Sequence, residues 1–447
     1  MRKISLTEGS VGKSIILFAL PLLGSSLIQQ LYSTVDLIFV GRLLGTESAA
    51  AIGASDLIIT CLVGFFNGMA VGTSVFTAQL FGGKNWDSLR KLIYTVFCVG
   101  ILGGILLMSI GISFAPFFLR KMGTPDAILG LAVRYLRIYM LSMISIVLYN
   151  LLSGVVRALG DSRTPMLFQA IGGAINVIGD FICLAVFKMG VEGTAIATFL
   201  SQTFAAICVI VYLYRMKAPY ALRFFSHDFE RKEFGRVLQV GIPAGIQSIV
   251  ITLSNILIQS QINTLGVASI AAFTVYFKTE MILYLPILAL GQAVVSFVGQ
   301  NYGAGNQKRI QTGNFLCLTG GTVVTLALAF SLLLVSPVIL GVFTNDIEVI
   351  QLGTDIMQVT FPFYFLYTIL ECLSSNLRGH GKAVVPMIIT IISFCGFRII
   401  LLFAIMRTTR SVKGVAMTYP ISWAIAAAFL ALISIYYQKT NRFTENS

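Results

Sequence analysis

The sequence predicts an all-α integral membrane protein, with twelve transmembrane helices arranged as two pseudo-symmetric lobes of six. Three observations carry that expectation. Of the 447 residues, 57% are hydrophobic and only 11% charged, whereas soluble domains carry about 25% charged residues. Apolar runs of about 20 residues or more, long enough to cross a bilayer as helices, recur along the whole chain. One constant shift also relates distant segments of the two halves: "QLFGGKN" begins at Gln79 and "QNYGAGN" at Gln300, 221 positions on.

The spans follow in order. The first half is expected to cross over 14–40, 52–80, 92–118, 128–155, 165–187 and 192–214. The second half is expected to cross over 237–262, 270–301, 311–336, 349–377, 384–406 and 414–437. Segments this apolar must be helical, because lipid offers nothing to satisfy open backbone groups. The first run starts near Ser14 and is too long for the apolar core of a cleavable signal peptide. "GGKN" (82–85) and "GAGN" (303–306) read as glycine turns at helix ends. The other glycines, among 41 in all, suit close helix packing in lipid.

The repeat is more than one motif. "SGVVRALGDSRTPM" (153–166) aligns with "SSNLRGHGKAVVPM" (374–387), and "GVEGTAIAT" (190–198) with "SVKGVAMTY" (411–419), at the same 221-residue shift. A single offset over three separated segments indicates duplication. Six spans per half, an even number, give both halves one orientation, the parallel-repeat arrangement of some transporters. The expected organisation is an N-terminal lobe over 1–214, a cytoplasmic linker over 215–236 and a C-terminal lobe over 237–447.

Charge follows topology. With both termini placed in the cytoplasm, 20 of the 31 Lys and Arg residues fall on the inner side, 7 in outer loops and 4 within spans. That is the positive-inside pattern, so the net charge of +13 does not call for a nucleic-acid partner. The expected setting is a bacterial or archaeal plasma membrane, crossed many times by a chain that works as a monomer. Seven cysteines lie within apolar spans without a C-x-x-C pair, and read as small buried residues. His227 and His380 sit in inner loops away from other metal-ligating residues. No phosphate-binding glycine loop with Lys-Ser/Thr is present, and no catalytic constellation is visible, so neither an ATPase engine nor an enzyme is expected.

The chemistry lies in the few ionisable residues inside spans. "GGAINVIGDFICLAVF" (172–187) places Asn176 and Asp180 in an otherwise apolar run. Asp36 lies in the first span, six residues before the outer Arg42, and Asp180 lies eight before Lys188. At about 1.5 Å per residue, both carboxyl groups sit at similar heights in the outer half of the bilayer. Asn176 shares the face of Asp180, and Tyr32 and Gln29 share that of Asp36. A shift of 221 maps Asp36 onto Leu257, Asn176 onto Phe397 and Asp180 onto Leu401. The acids therefore belong to the first lobe alone. An acid inside a span costs about 2.5–3.5 kcal/mol on insertion scales and usually faces a wet cavity or a partner.

"LYSTVDLIFVGRLLG" (31–45), "RALGDSRTPM" (157–166), "NVIGDFI" (176–182) and "GVEGTAIAT" (190–198) resemble the multidrug and toxic compound extrusion (MATE) family, most closely its prokaryotic DinF-like branch. The resemblance extends over essentially the whole chain. It implies a V-shaped pair of lobes alternating between outward- and inward-facing states, and a secondary antiporter exporting organic, mostly cationic amphipathic compounds in exchange for H⁺ or Na⁺. Matched residue by residue, it implies a cation site at Asp36, Asn176, Asp180 and Thr198, and a substrate cavity lined by Gln29, Tyr32, Tyr139 and Asn150. It implies no cofactor beyond the coupling ion, and no metal beyond Na⁺ at Asp36 and Asp180. Another branch uses an acid on span seven, and this chain has none between 237 and 262.

The second lobe is not free of charge. Lys278, Glu280, Glu371 and Arg398 fall inside its spans, and the expectation for Lys278 and Glu371 is a structural pair across helices. Contact of Glu280 or Glu371 with a cationic drug, or a second proton site, stays open. Pro21 and Pro243 occupy corresponding places in spans one and seven, where proline favours a kink, either fixed or moving. The alternative function from the same superfamily is a flippase for a lipid-linked saccharide, whose cavity would carry arginines for a pyrophosphate.

Overall fold

The computed structural model describes residues 4–224 and 228–440, which leaves His227 outside the described residues. Among those residues the secondary structure is helical, with no strand.

The first half begins with α1 (Val11–Leu43), α2 (Thr46–Gly82) and α3 (Trp86–Lys121). It continues with α4 (Asp126–Leu141), α5 (Met143–Ala158), α6 (Arg163–Phe181) and α7 (Val191–Arg215). The second half holds α8 (Arg231–Ile262), α9 (Val267–Gly303), α10 (Gln307–Leu334) and the short α11 (Ser336–Gly341). Then come α12 (Ile347–Thr360), α13 (Tyr364–Gly379), α14 (Val384–Thr390), α15 (Arg398–Thr408) and α16 (Val412–Lys439). Eleven of these helical stretches are long and apolar enough to cross a membrane, and α4 with α5 makes a twelfth.

Four spans are interrupted, in three ways. The expected single helix over 128–155 bends by 45° between α4 and α5. There the backbone N–H and the hydroxyl of Ser142 both donate to the Tyr139 carbonyl, which tightens the turn. Between α12 and α13 the chain takes a 3₁₀ turn over Phe361–Phe363, where Pro362 brings no N–H to the ladder. The third case is a pair of π-helical segments, Ile182–Val186 after α6 and Ile391–Phe397 before α15.

Packing divides the chain into two units, one of Met1–Ile4 with Leu20–Gly245, the other of Ser5–Ala19 with Ile246–Ser447. These units depart from the sequence halves at two places. The start of α1 joins unit 2, while linker 215–236 and the start of α8 join unit 1. Both crossovers fall within three residues of a proline, Pro21 inside α1 and Pro243 inside α8. Unit 2 holds the N-terminal segment through Arg309, whose guanidinium donates to the carbonyls of Leu6, Glu8 and Gly9 at 2.7–3.1 Å. Unit 1 holds the start of α8 by close approach: a Cβ on Gly72 would lie 2.5 Å from the Val237 carbonyl oxygen.

Candidate functional site

Within unit 1, α1, α6 and α7 bring together four of the expected residues. Asp180 is fully buried and Asn176 nearly so, 0% and 2% exposed. Asn176 donates from its amide to the Thr198 hydroxyl at 3.4 Å, and Ser201 donates to the Thr198 carbonyl at 2.9 Å. The Asp36 and Asp180 carboxyl groups lie within side-chain hydrogen-bonding reach of each other.

Chemistry makes that contact informative. Two ionised carboxylates only accept, so a hydrogen bond between them needs a proton on one. No protein donor reaches either Asp180 oxygen or Asp36 Oδ1. The Asn176 carbonyl oxygen is likewise buried without a donor. The cluster is thus a set of oxygen acceptors with one amide and one hydroxyl, suited to a proton or to a hard monovalent cation.

Helix contact sets this geometry. The Tyr32 ring packs where a Cβ on Gly173 would lie 2.9 Å away, and Ala197 packs 3.0 Å from a Cβ on Gly179. Tyr32 also accepts a hydrogen bond from Gln169 at 3.1 Å. Gln169 escaped the sequence reading, yet it stands seven residues before Asn176 and eleven before Asp180, on the same helical face. Asp56 on α2 was also missed; it lies within electrostatic reach of Tyr135 and Tyr139.

The remaining expected lining residues are looser. Tyr139 is half-buried, 5.9 Å ring to ring from Tyr135, and within electrostatic reach of Asp36 and Tyr32. Gln29 is exposed on α1, and Asn150 is half-buried on α5. Pro21 lies inside α1, which is helical on both sides of it.

Unit 2 corrects one expected contact. Glu371 pairs with Arg378 at 3.2 Å, not with Lys278, which is exposed. Arg378 lies two turns along the same helix as Glu371, whereas Lys278 sits two residues from Glu280 and points elsewhere. Arg378 also donates to Gln247 at 3.1 Å, and Gln247 to Thr390 at 2.8 Å. Glu280 accepts from Tyr276 at 3.3 Å and Tyr364 at 3.0 Å. Lys278 therefore stands apart, whereas Glu280 and Glu371 both lie within electrostatic reach of Tyr284 and Tyr367. His380, in the turn after α13, is buried beside the Tyr302 ring.

The sequence profile of the MatE family matches the chain twice, over residues 21–182 and 243–404. The chain belongs to the MatE family. It is 30% identical to the probable multidrug resistance protein YoeA of Bacillus subtilis (strain 168), over 97% of this chain and 94% of that protein. It is 23% identical to the multidrug export protein MepA of Staphylococcus aureus (strain MSSA476), over 98% and 96% of the two chains. Among solved structures, an outward-facing multidrug resistance MATE family transporter of the MOP superfamily matches with TM-score 0.92 at 23% identity, covering 99% of each chain. This MatE protein is a multi-pass membrane transporter, and the two profile matches begin at its paired prolines, Pro21 and Pro243.

Proposed function

We propose that this transporter exports organic, mostly cationic amphipathic compounds by antiport against H⁺ or Na⁺, with Asp36 and Asp180 as the coupling acids. One observation carries the reading: two carboxyl groups in membrane-spanning helices lie within reach of each other, and no protein donor reaches either Asp180 oxygen or Asp36 Oδ1. Such a pair is stabilised by a shared proton or a bound cation. Uptake of that cation from outside would remove the negative charge that attracts an organic cation, which is then released. One charge moved across 100 mV is worth about 2.3 kcal/mol, so an ion gradient suffices as the source of work. Asn176 and Thr198 serve as uncharged ligands. Gln29, Tyr32, Tyr139 and Asn150 line the substrate path, and Pro21 lets α1 bend. Each chain is a complete transport unit in the plasma membrane, with both termini cytoplasmic. The names of the relatives, multidrug resistance and multidrug export, support the substrate class.

The test is gradient-driven dye efflux from proteoliposomes, with a pH step and a Na⁺ step applied separately. Asp180→Asn keeps the shape and hydrogen-bonding capacity of a protonated acid but cannot change charge. It should insert and melt normally while losing efflux driven by either gradient. Full gradient-driven efflux from Asp180→Asn would overturn the coupling role.

A further inference from the structure

The two π-helical segments change how the halves correspond. A π turn holds an extra residue. In unit 2 that turn, Ile391–Phe397, precedes the counterpart of Asn176; in unit 1 the π turn, Ile182–Val186, follows Asp180. Between the two insertions the halves therefore run one residue out of the 221 register. Burial shows the slip: Phe397 is 48% exposed but Arg398 only 2%. The internal position that Asn176 holds in unit 1 is held in unit 2 by Arg398. Past the second π turn the 221 register returns, so Thr198 corresponds to Tyr419 and Ser201 to Ser422. Even a small bond repeats: Ser201 donates to the Thr198 carbonyl and Ser422 to the Tyr419 carbonyl, at 2.9 and 2.8 Å.

Arg398 is a buried cation within a span, and its surroundings are arranged around its charge. Its guanidinium carbon lies 3.8 Å from the centre of the Phe394 ring and 4.9 Å from that of Tyr419. Its Nε donates to the Ser422 hydroxyl at 2.7 Å. Among the described residues it forms no ion pair; the acid within electrostatic reach is Glu280, whose carboxylate is engaged by Tyr276 and Tyr364. Two buried donors remain without an acceptor, Nη2 of Arg398 and the Tyr419 hydroxyl.

We propose that Arg398 and Tyr419, with Ser422 positioning the guanidinium, form an anion-binding site in unit 2, for a halide or the carboxylate of an amphipathic compound. Guanidinium and phenol both donate, and the buried positive charge of Arg398 disfavours a cation there. The inference does not rest on the coupling role of Asp36 and Asp180, which lie in the other unit.

Trp423 provides a local reporter, with ring centres 6.0 Å from Tyr419 and 4.9 Å from Tyr364. The chain has two tryptophans, so Trp86→Phe leaves Trp423 as the single emitter. In purified full-length protein at constant sodium, sulfate is exchanged for chloride in one arm and for benzoate in another. We expect a saturable change in emission in at least one arm. A response to chloride alone assigns a halide site, and a response to benzoate assigns a carboxylate site. Tyr419→Phe should weaken the apparent affinity by at least about tenfold, since it removes a donor to a charged group, and Arg398→Gln should abolish the response. Should Arg398→Gln fail to fold, Arg398→Lys, which keeps the charge and loses the planar fork, should still weaken it. Asp36→Asn should leave it unchanged. Absence of any saturable response in the parent protein, or an undiminished response in the Arg398 and Tyr419 variants, would overturn the proposal.

Discussion

At one internal position of its duplicated fold, the first lobe of this transporter carries Asn176, four residues before Asp180, and the second carries Arg398. Both sites are buried, and both sit on a helix packed against the last helix of its lobe. The first gathers acceptors, with Asp36 facing Asp180; the second gathers donors beside two aromatic rings. Two acids inside the spans of unit 2 are satisfied within the lobe, Glu371 by Arg378 and Ser375, and Glu280 by two tyrosines. An acid already paired by protein donors cannot cycle its charge without breaking those bonds. An acid that meets only another acid can. Duplication has supplied one scaffold with two electrostatic characters.

The sharpest break in this contrast is functional. Asp36→Asn should reduce gradient-driven dye efflux to background, whereas Glu371→Gln should retain most of it per unit of inserted protein. Equal losses would move part of the coupling into unit 2. Stability should show the reverse order. Arg378→Met strands a largely buried carboxylate and should cost about 3–5 kcal/mol, seen as a lower melting temperature in detergent. A Tm loss in Asp36→Asn as large as that in Arg378→Met would make Asp36 a structural acid instead.

Helix approach gives a smaller effect. Gly173→Ala places a methyl 2.9 Å from the Tyr32 ring and should cost about 1–3 kcal/mol, as overpacking does, together with a fall in efflux because α1 moves off α6. In unit 2, Gly396→Ala enters open space and should be nearly silent in both measurements. The smallest effect concerns pH. Burial pushes the His380 imidazole down to about 4. A depressed histidine contributes stability at neutral pH that is lost as pH falls from the unfolded value of about 6.5 towards 4. At pH 6 the loss should be under about 1 kcal/mol, so an outward pH step near neutrality leaves His380 uncharged. His380→Asn should flatten the acid limb of the Tm profile without shifting the pH dependence of efflux.

Much of the molecule was legible in the sequence. Apolar length and the shortage of charge determine spanning helices, because lipid satisfies neither backbone nor ions. The repeat pointed to two lobes, and the family profile matches each half once. Asp36, Asn176 and Asp180 stand out because ionisable and amide groups are costly in that surrounding, and Thr198 followed from the family resemblance. What the sequence could not show depends on contacts between residues far apart in the chain. Gln169 stayed hidden because glutamine at the end of a span looks like any solvated amide until Tyr32 arrives from another helix. The expected partner of Glu371 was Lys278, and only the face of α13 showed that Arg378 takes that place.

Other features were settled only in three dimensions. Packing, not chain order, assigned the start of α1 to unit 2 and the start of α8 to unit 1. The bend at Ser142 arose from a hydroxyl competing for a backbone carbonyl, in a stretch whose hydropathy is continuous. The pairing of Asn176 with Arg398 needed the π turns, since one extra residue rotates every following side chain by about 100° and leaves the letters of the sequence unchanged. The sequence determined which groups would be costly to bury. The tertiary structure decided which of them meet.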